Sequence, residues 1–362
     1  MGIKKKKIAV AISGGVDSSV ATKILKDQGQ DVIGIFLHFW KDENAQIENN
    51  YYGLDSWHDA QRVCAQIGIP LYSFNLKKEF KDIVVENFIS EYEYGRTPNP
   101  CVICNKKVKL GLLLEKAKTL GYDQVATGHY VIKKETKTGV KLFKAKDQTR
   151  DQSYFLYTLS QLELKHLIFP LGNILKSEVR QLAKKYKLPT AEKKESREIC
   201  FIPEKKHNDF LKRNIKMKPG QIKTLKGEIV GQHQGLPLYT IGQRKGVEIG
   251  GVGPFYVVKC DYKNNILWVS NNGNDSAIYN DILIANNMSW VNGKIPITTF
   301  KAQAVIRYRH KPVNCTVKPI GKNKCQITFQ EPQRAITPGQ SVVIYKNNEV
   351  IGGGVILESL KI

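Results

Sequence analysis

Residues Ile8 to Ser19 read IAVAISGGVDSS, and the chain continues as VATKILKDQ to Gln28. The run Ile8–Ile12 predicts a short buried strand, and the helical pattern over Ser18–Gln28 follows within a few residues. Between them the chain turns on Ser13, Gly14 and Gly15. Glycines let backbone N–H groups approach a phosphate, and a helix N-terminus adds its partial positive charge. Ser13, Ser18 and Ser19 offer hydroxyl donors, and Asp17, which would repel bare phosphate, suits a bound Mg²⁺. The chain lacks the GxxxxGK(S/T) of a Walker loop. The plainer reading of the same residues is a serine-capped glycine turn with Asp17 favouring the helix dipole.

Outward from this stretch, short apolar runs alternate with helical periodicities. Val32–Phe39, Leu71–Asn75 and Gln124–Thr127 predict strands, and Trp57, Ala60, Cys64 and Ile67 mark one face of a helix. Phe80–Tyr94 predicts another helix. Such alternation argues for a parallel α/β sheet covered on both faces, with ligands at the carboxyl ends of its strands. After about residue 205 Gly and Pro punctuate short β-type runs: Leu238–Ile241, Phe255–Lys259, Ile266–Val269, Thr298–Arg309, Cys315–Pro319, Lys324–Phe329 and Ser341–Tyr345. The expected organisation is a catalytic domain over 1–205, a small central domain over 206–275 and a C-terminal β-barrel-like domain over 276–362. Asn271–Asp275 supplies a polar boundary, and Gly250, Gly251 and Gly253 suit a β-turn rather than a dinucleotide loop.

The 362 residues carry 56 Lys and Arg against 33 Asp and Glu, a formal charge of +23. Lys outnumbers Arg, so genomic bias accounts for part of it; the functional reading is a polyanionic partner such as nucleic acid. No basic amphipathic helix favours a membrane surface, no apolar run nears the roughly 20 residues of a spanning helix, and the basic start lacks an apolar signal segment. The expectation is a cytoplasmic protein without a membrane partner. Seven scattered cysteines without a signal segment point away from a disulfide framework and toward thiol or metal chemistry.

Two cysteine segments stand out. Gly95–Lys109 reads GRTPNPCVICNKKVK, in which a proline-stiffened loop leads into a helix; Lys106, Lys107 and Lys109 should push a nearby thiol toward thiolate. Ser196–Pro203 reads SREICFIP, placing Cys200 in an expected short apolar strand. These thiols permit four readings: a thioredoxin-like pair, a zinc site short of a second CxxC, inert buried thiols, or sulfur chemistry in which one cysteine carries a persulfide and another displaces its sulfur. Cys64, Cys260, Cys315 and Cys325 read as packing, as do most of Trp40, Trp57, Trp268 and Trp290.

The SGGxDS turn resembles the PP-loop of the N-type ATP pyrophosphatases. The sequence as a whole is similar to the tRNA-specific 2-thiouridylases through TPNPxxxCN, ATGHY at Ala126–Tyr130, DQSYFLY at Asp151–Tyr157 and ICFI at Ile199–Ile202. GQRKG at Gly242–Gly246, RYR at Arg307–Arg309 and TPGQS at Thr337–Ser341 extend the similarity, which runs in order from residue 8 to about 355. It implies a Rossmann-like PP-loop domain followed by a middle domain and a β-barrel-like domain. It also implies ATP- and Mg²⁺-dependent adenylation of the C2 oxygen of a wobble uridine in tRNA, turning a very poor leaving group into AMP before sulfur replaces it.

The resemblance further assigns residues. Cys200 carries the persulfide, supplied by a donor or relay protein, and Cys104 is the partner thiol, with a Cys104–Cys200 disulfide once sulfur has left. Asn99, Pro100 and Cys101 lie against the target base. ATP contacts fall on Ala11, Ile12, Ser13, Gly14, Gly15, Val16, Asp17, Ser18, Leu37 and Gly128. The tRNA contacts fall on His129, Arg150, Asp151, Gln152, Arg307, Tyr308 and Gln340, with the Arg307–His310 run suited to phosphates. Two departures matter. The best-known members have Asp where this chain has Cys101, so Cys101 is either an acid/base substitute or, with Cys104 and Cys200, one of three ligands of a [4Fe–4S] cluster. Ser196–Glu198 replaces a smaller STG. Other PP-loop tRNA-modifying enzymes, tRNA lysidine synthetase among them, and a catalytically decayed tRNA-binding protein are the rival readings.

Overall fold

The computed structural model describes residues 5–42, 54–194, 199–202, 206–247 and 254–361. Ser196–Glu198 and the Gly250–Gly253 turn lie outside the described residues.

The first layer grows from β1 (Lys7–Ala11), whose flanks are both paired in parallel, to β2 (Asp31–His38) and to β4 (Gln124–Ala126). With β3 (Leu71–Asn75) beyond β2 the sheet extends one way, and the two-residue β7 (Leu167–Ile168) ends it beyond β4. The order β3-β2-β1-β4-β7 puts the carboxyl end of β1 at mid-sheet, next to the carboxyl end of β4. Ile8, Val10, Ile12 and Phe36 face one apolar cluster while Ala9, Ile33 and Ile35 face another, so both sides of the sheet are covered. The expected α/β architecture is therefore present. The first helix begins at Val16, two residues earlier than its periodicity suggests, which makes Gly15 its N-cap.

The hairpin of β5 (Ile132–Thr136) and β6 (Gly139–Phe143) leaves this layer and joins the C-terminal sheet. In the middle segment β8 (Gly220–Thr224), β9 (Ile229–His233), β10 (Tyr256–Asp261) and β11 (Ile266–Ser270) form a sheet ordered β10-β11-β8-β9 around Ile222, Val257, Leu267 and Val269. The expected strand Leu238–Ile241 is instead a 3₁₀ turn, Leu236–Leu238, followed by irregular chain; Pro237, without an N–H, suits the turn and not a ladder.

Six strands close a C-terminal barrel: β12 (Tyr279–Trp290), β13 (Phe300–Val305), β14 (Val313–Pro319), β15 (Cys325–Arg334), β16 (Ser341–Lys346) and β17 (Glu349–Leu360). Pairing runs β12-β15-β14-β13-β16-β17 and returns from β17 to β12, removing free edges. β17 also pairs with β6 through Glu349 opposite Phe143 and Val350 opposite Leu142. Among the described residues no helix is long and apolar enough to cross a membrane.

A second contact joins barrel to catalytic layer. The turn between β15 and β16 reaches the loop at 95–100: the Thr97 N–H donates to Pro338 O at 2.9 Å, and Gln340 Nε2 donates to Thr97 O at 2.9 Å. Gly339 makes this approach possible, having φ +90° and a position where a Cβ would stand 2.9 Å from Thr97 N and O. We expect Gly339→Ala to lower unfolding free energy by about 1–3 kcal/mol, from backbone strain plus clash, and to speed proteolysis of the 95–100 loop. Wild-type denaturation midpoint and loop cleavage in the variant would remove this contact from the fold's essential set.

Candidate active site

At the carboxyl end of β1 the chain makes its Ser-Gly-Gly turn. The Ser13 N–H donates to Ser18 Oγ at 3.2 Å, and Ser18 Oγ and Ser19 Oγ both donate to Gly15 O, at 3.0 and 2.8 Å. The Ser18 and Ser19 hydroxyls thus shape the turn, where the sequence suggested ligand donors. Gly15 caps the helix without a side chain, so no cap oxygen competes for the N–H groups of the first turn. Gly14, at φ +68°, passes so close to the next helix that a Cβ would stand 2.2 Å from Ser56 O. Asp17 Oδ1 accepts hydrogen bonds from Tyr130 Oη at 2.8 Å and Lys176 Nζ at 2.6 Å. Lys193 Nζ donates to Ser56 Oγ and Asp59 Oδ2 on the other side of the turn.

A slot of about 190 Å³ opens beside this turn, lined by Ala11, Leu37, Phe39, Thr127, Gly128 and Lys109. Gly128 leaves it room, since a Cβ there would lie 2.8 Å from Ser18 N. The slot has an apolar wall of Ala11, Leu37 and Phe39 and a polar one of Ser13, Lys109, Thr127 and Gln152, next to a glycine turn and a helix start of the kind that binds phosphates. Mg²⁺ keeps most of its shell from water and phosphate oxygens, so the single carboxylate of Asp17 is a sufficient protein contribution.

The thiols arrive from two directions. Pro98 and Pro100 stiffen the loop whose carbonyls at Thr97 and Pro98 accept from Gln340, and the Asn99 side chain bonds the Tyr154 phenol. The helical run 100–119 then starts at Pro100, leaving Cys101 exposed and turning Cys104 into the core at 5% exposure. Cys200 is not in a strand: it sits half-buried in a turn closed by the Ile202 N–H and Ile199 O at 3.1 Å. Phe201, buried among Phe80, Phe88 and Phe210, anchors that turn. Cys101, Cys104, Cys200, Lys109, Gly14 and Asp17 all line one cavity of about 520 Å³. All seven cysteines are free thiols.

Burial dominates the electrostatics. It pushes the Cys104 thiol up and that of Cys200 up to about 11, while Lys109 pulls both of them down. The expected thiolate is therefore not formed: Lys106 pairs with Glu163 instead, and the cation that acts on the thiols, Lys109, does not offset their desolvation. Burial, with Lys109, also drives His129 down to about 3, so its imidazole is neutral; its Nδ1 lies 2.8 Å from Thr127 Oγ1.

The residues expected to touch tRNA divide. His129 and Gln152 line the nucleotide slot, and Arg150, Gln152 and Tyr308 line the thiol cavity. Asp151 accepts from the Ala145 N–H at 2.9 Å and Ser153 Oγ at 2.7 Å, an internal brace. The Arg307 guanidinium points inward, toward Ala335 O and Thr337 Oγ1, and the Gln340 amide is used on the base loop. Lys176 and Lys193 were not singled out by the sequence; each sits far along the chain from the turn, and only the fold brings them to it. Cys101, Cys104 and Cys200 line one cavity, although among the described residues of the free protein no three His, Cys, Asp or Glu side chains are already arranged around a metal position.

With the Cys200 thiol near 11, we expect its alkylation by iodoacetamide in the free protein to rise about tenfold per pH unit from 8 to 10, following thiolate fraction. Lys109→Met should lower the rate further at every pH in that range. A plateau below pH 9, or faster alkylation in the variant, measured by peptide mass spectrometry, would contradict this electrostatic account.

The chain matches the tRNA methyl transferase HUP domain family over residues 6–204, its PRC-barrel domain over 208–271 and the aminomethyltransferase β-barrel domain over 280–356. A tRNA-specific 2-thiouridylase MnmA 2 of Thermoanaerobacter sp. (strain X514) is 44% identical over 98% of this chain and 99% of its own length. A tRNA-specific 2-thiouridylase MnmA 1 of Caldanaerobacter subterraneus subsp. tengcongensis is 45% identical over the same shares. One of Carboxydothermus hydrogenoformans is 45% identical over 99% of each chain. Full-length identity of this order, carried through all three folded regions, makes the chain a member of the tRNA-specific 2-thiouridylase family.

Proposed function

We propose that this protein adenylates the C2 oxygen of a wobble uridine in tRNA and replaces it with sulfur delivered from Cys200. The observation that carries the reading is the shared cavity: the phosphate-type turn Ser13–Asp17 and the thiols of Cys101, Cys104 and Cys200 line the same 520 Å³ space. A methyl transfer would need neither of these features.

In this reading Gly14, Gly15 and the first turn of the helix receive the phosphates of ATP. Asp17 would hold Mg²⁺, and Lys176, which pairs with Asp17 in the free protein, is placed to reach phosphate oxygens. Mg²⁺, when bound, offsets phosphate charge. Asn99, Pro100 and Cys101 hold the uracil ring. The uracil O2 attacks the α-phosphorus and pyrophosphate leaves. The outer sulfur of a Cys200 persulfide, loaded by a donor protein, then attacks C2, and the former O2 departs in AMP. A partner thiolate attacks Cys200 Sγ, releasing 2-thiouridine and leaving a disulfide that an external thiol reduces. Lys109, facing both cavities, favours each anion formed at the thiols.

The family resemblance makes Cys104 the partner thiol. A second reading gives that role to Cys101, because Cys101 is exposed while Cys104 is buried, and both thiols act electrostatically on Cys104's neighbour Cys200 or are acted on by it.

Single-turnover assays with tRNA, ATP and persulfide-loaded protein test the proposal. Cys200→Ala should abolish thiolation, by at least about 10³-fold, while tRNA-dependent pyrophosphate release continues; Gly14→Ala should lose both. Thiolation by Cys200→Ala, or no pyrophosphate release by the wild type, would refute it. Mapping the product disulfide to Cys104 or Cys101 decides between the partner thiols.

A further inference from the structure

The GQRKG stretch at Gly242–Gly246 takes no part in the site described above. Among the described residues, none from the middle segment, 206–247 and 254–271, lines the ATP slot or the thiol cavity. The segment reaches the site at one remove, through the loop at 95–100 that leads into Cys101. Gln243 folds the chain back on Thr240: its N–H donates to Thr240 O at 3.0 Å, and its Oε1 accepts from the Thr240 N–H at 2.9 Å. The turn is fastened to β10, where the Gly242 N–H donates to Val257 O at 2.8 Å and the Val257 N–H to Gln243 O at 3.0 Å. Gly242, at φ +81°, also lies against the barrel, since a Cβ there would stand 2.6 Å from Ala335 Cβ. Thr240 is therefore held on a fixed backbone, and its Oγ1 lies 3.1 Å from Thr97 Oγ1.

Thr97 is thereby gripped at each of its polar groups from outside the catalytic layer. The barrel engages its N–H and its O, through Pro338 O and Gln340 Nε2, and the middle segment engages its hydroxyl. A second contact falls two residues earlier: Gly95, at φ +74°, runs under the Tyr262 ring, where a Cβ would stand 2.5 Å from Tyr262 Cε2. The hold on Thr97 is passed on because the chain beyond it is stiff. Pro98 and Pro100 fix their own φ, and Thr97 and Asn99, each preceding a proline, are restricted as well. Four successive residues thus leave little freedom between the hydroxyl pair and Asn99, whose side chain bonds the Tyr154 phenol.

Resting on the thiolation reading above, we propose that Thr240, shaped by Gln243, is a positioning residue for the target uracil. Its hydroxyl fixes Thr97, and the stiff 97–100 segment carries that fix to Asn99, Pro100 and Cys101 against the base. The middle segment then serves the reaction by aiming O2 at the α-phosphorus and C2 at the sulfur, where small misplacements are costly.

The test is single-turnover thiolation by the full chain, persulfide-loaded, with ATP and varied tRNA. Thr240→Val keeps the branched shape and loses the hydroxyl. It should lower the saturating rate about tenfold, while the half-saturating tRNA concentration moves less than about twofold and ATP affinity is unchanged. Thr240→Ser, which keeps the hydroxyl, should return to within about twofold of wild type. Thr97→Val should match Thr240→Val, and the double variant should be no slower than either, because all three remove the same bond. A wild-type rate in Thr240→Val, a Thr240→Ser as slow as Thr240→Val, or losses that multiply in the double variant would overturn the proposal. Loss of ATP affinity in Thr240→Val would also overturn it, since the hydroxyl would then serve the fold as a whole. Wild-type protein that does not thiolate tRNA would sink the underlying reading instead.

Discussion

Gly339 allows two distant pieces of backbone, joined where the Thr97 N–H donates to Pro338 O, to touch without an intervening side chain. The loop at 95–100 has prolines at 98 and 100 and so few backbone N–H groups with which to hold itself. Its backbone is held from the barrel, Thr97 N–H by Pro338 and Thr97 O and Pro98 O by the Gln340 amide, while the Asn99 side chain bonds Tyr154 of the catalytic domain, whose hydroxyl donates to Ser341 O of the barrel. A loop held this way starts the 100–119 helical run at a fixed point, and that start sets where Cys101 and Cys104 point. The barrel is thereby a structural part of the catalytic site as well as a basic surface.

Charge in the site is arranged around burial. Taking thiols out of water favours their neutral form, and one ammonium, Lys109, partly compensates. Burial therefore favours the protonated form of Cys104 and Cys200 in the free protein. A similar restraint holds at the turn, where Lys176 occupies Asp17. Beyond these pairs the cavity also carries Lys109, Arg150 and Arg309 beside the one carboxylate of Asp17, so a polyphosphate entering it meets net positive charge.

The sheet was legible because β1, β2 and β3 are short apolar runs bounded by turn residues, and the phosphate-type turn because its glycines and helix start are contiguous in sequence. What escaped has identifiable causes. The β5–β6 hairpin is polar, its strand character coming from pairing with β17, which no local pattern reports. β17 itself runs through Gly352, Gly353 and Gly354 and was not among the expected strands, because consecutive glycines carry no β-type pattern. Cys200 looked like a strand residue because Ile199, Phe201 and Ile202 are apolar; their burial is in a turn wedged into an aromatic cluster. Lys176 is one of many lysines in a chain of charge +23, and only its 159-residue return to Asp17 distinguishes it.

That last case bears on how a strongly basic composition should be read. Lys106 and Lys109 are three residues apart, yet one pairs with Glu163 and the other faces the thiols. Arg307 and Arg309 are two apart, yet one braces a barrel loop and the other, through a left-handed backbone, lines the thiol cavity. Net charge accounts for attraction to a polyanion at long range, where only the sum matters. Within contact distance the backbone decides which cation faces a cavity, which meets a thiol and which is absorbed by the fold, so the local role of each cation follows from its place in the fold more than from the count of lysines.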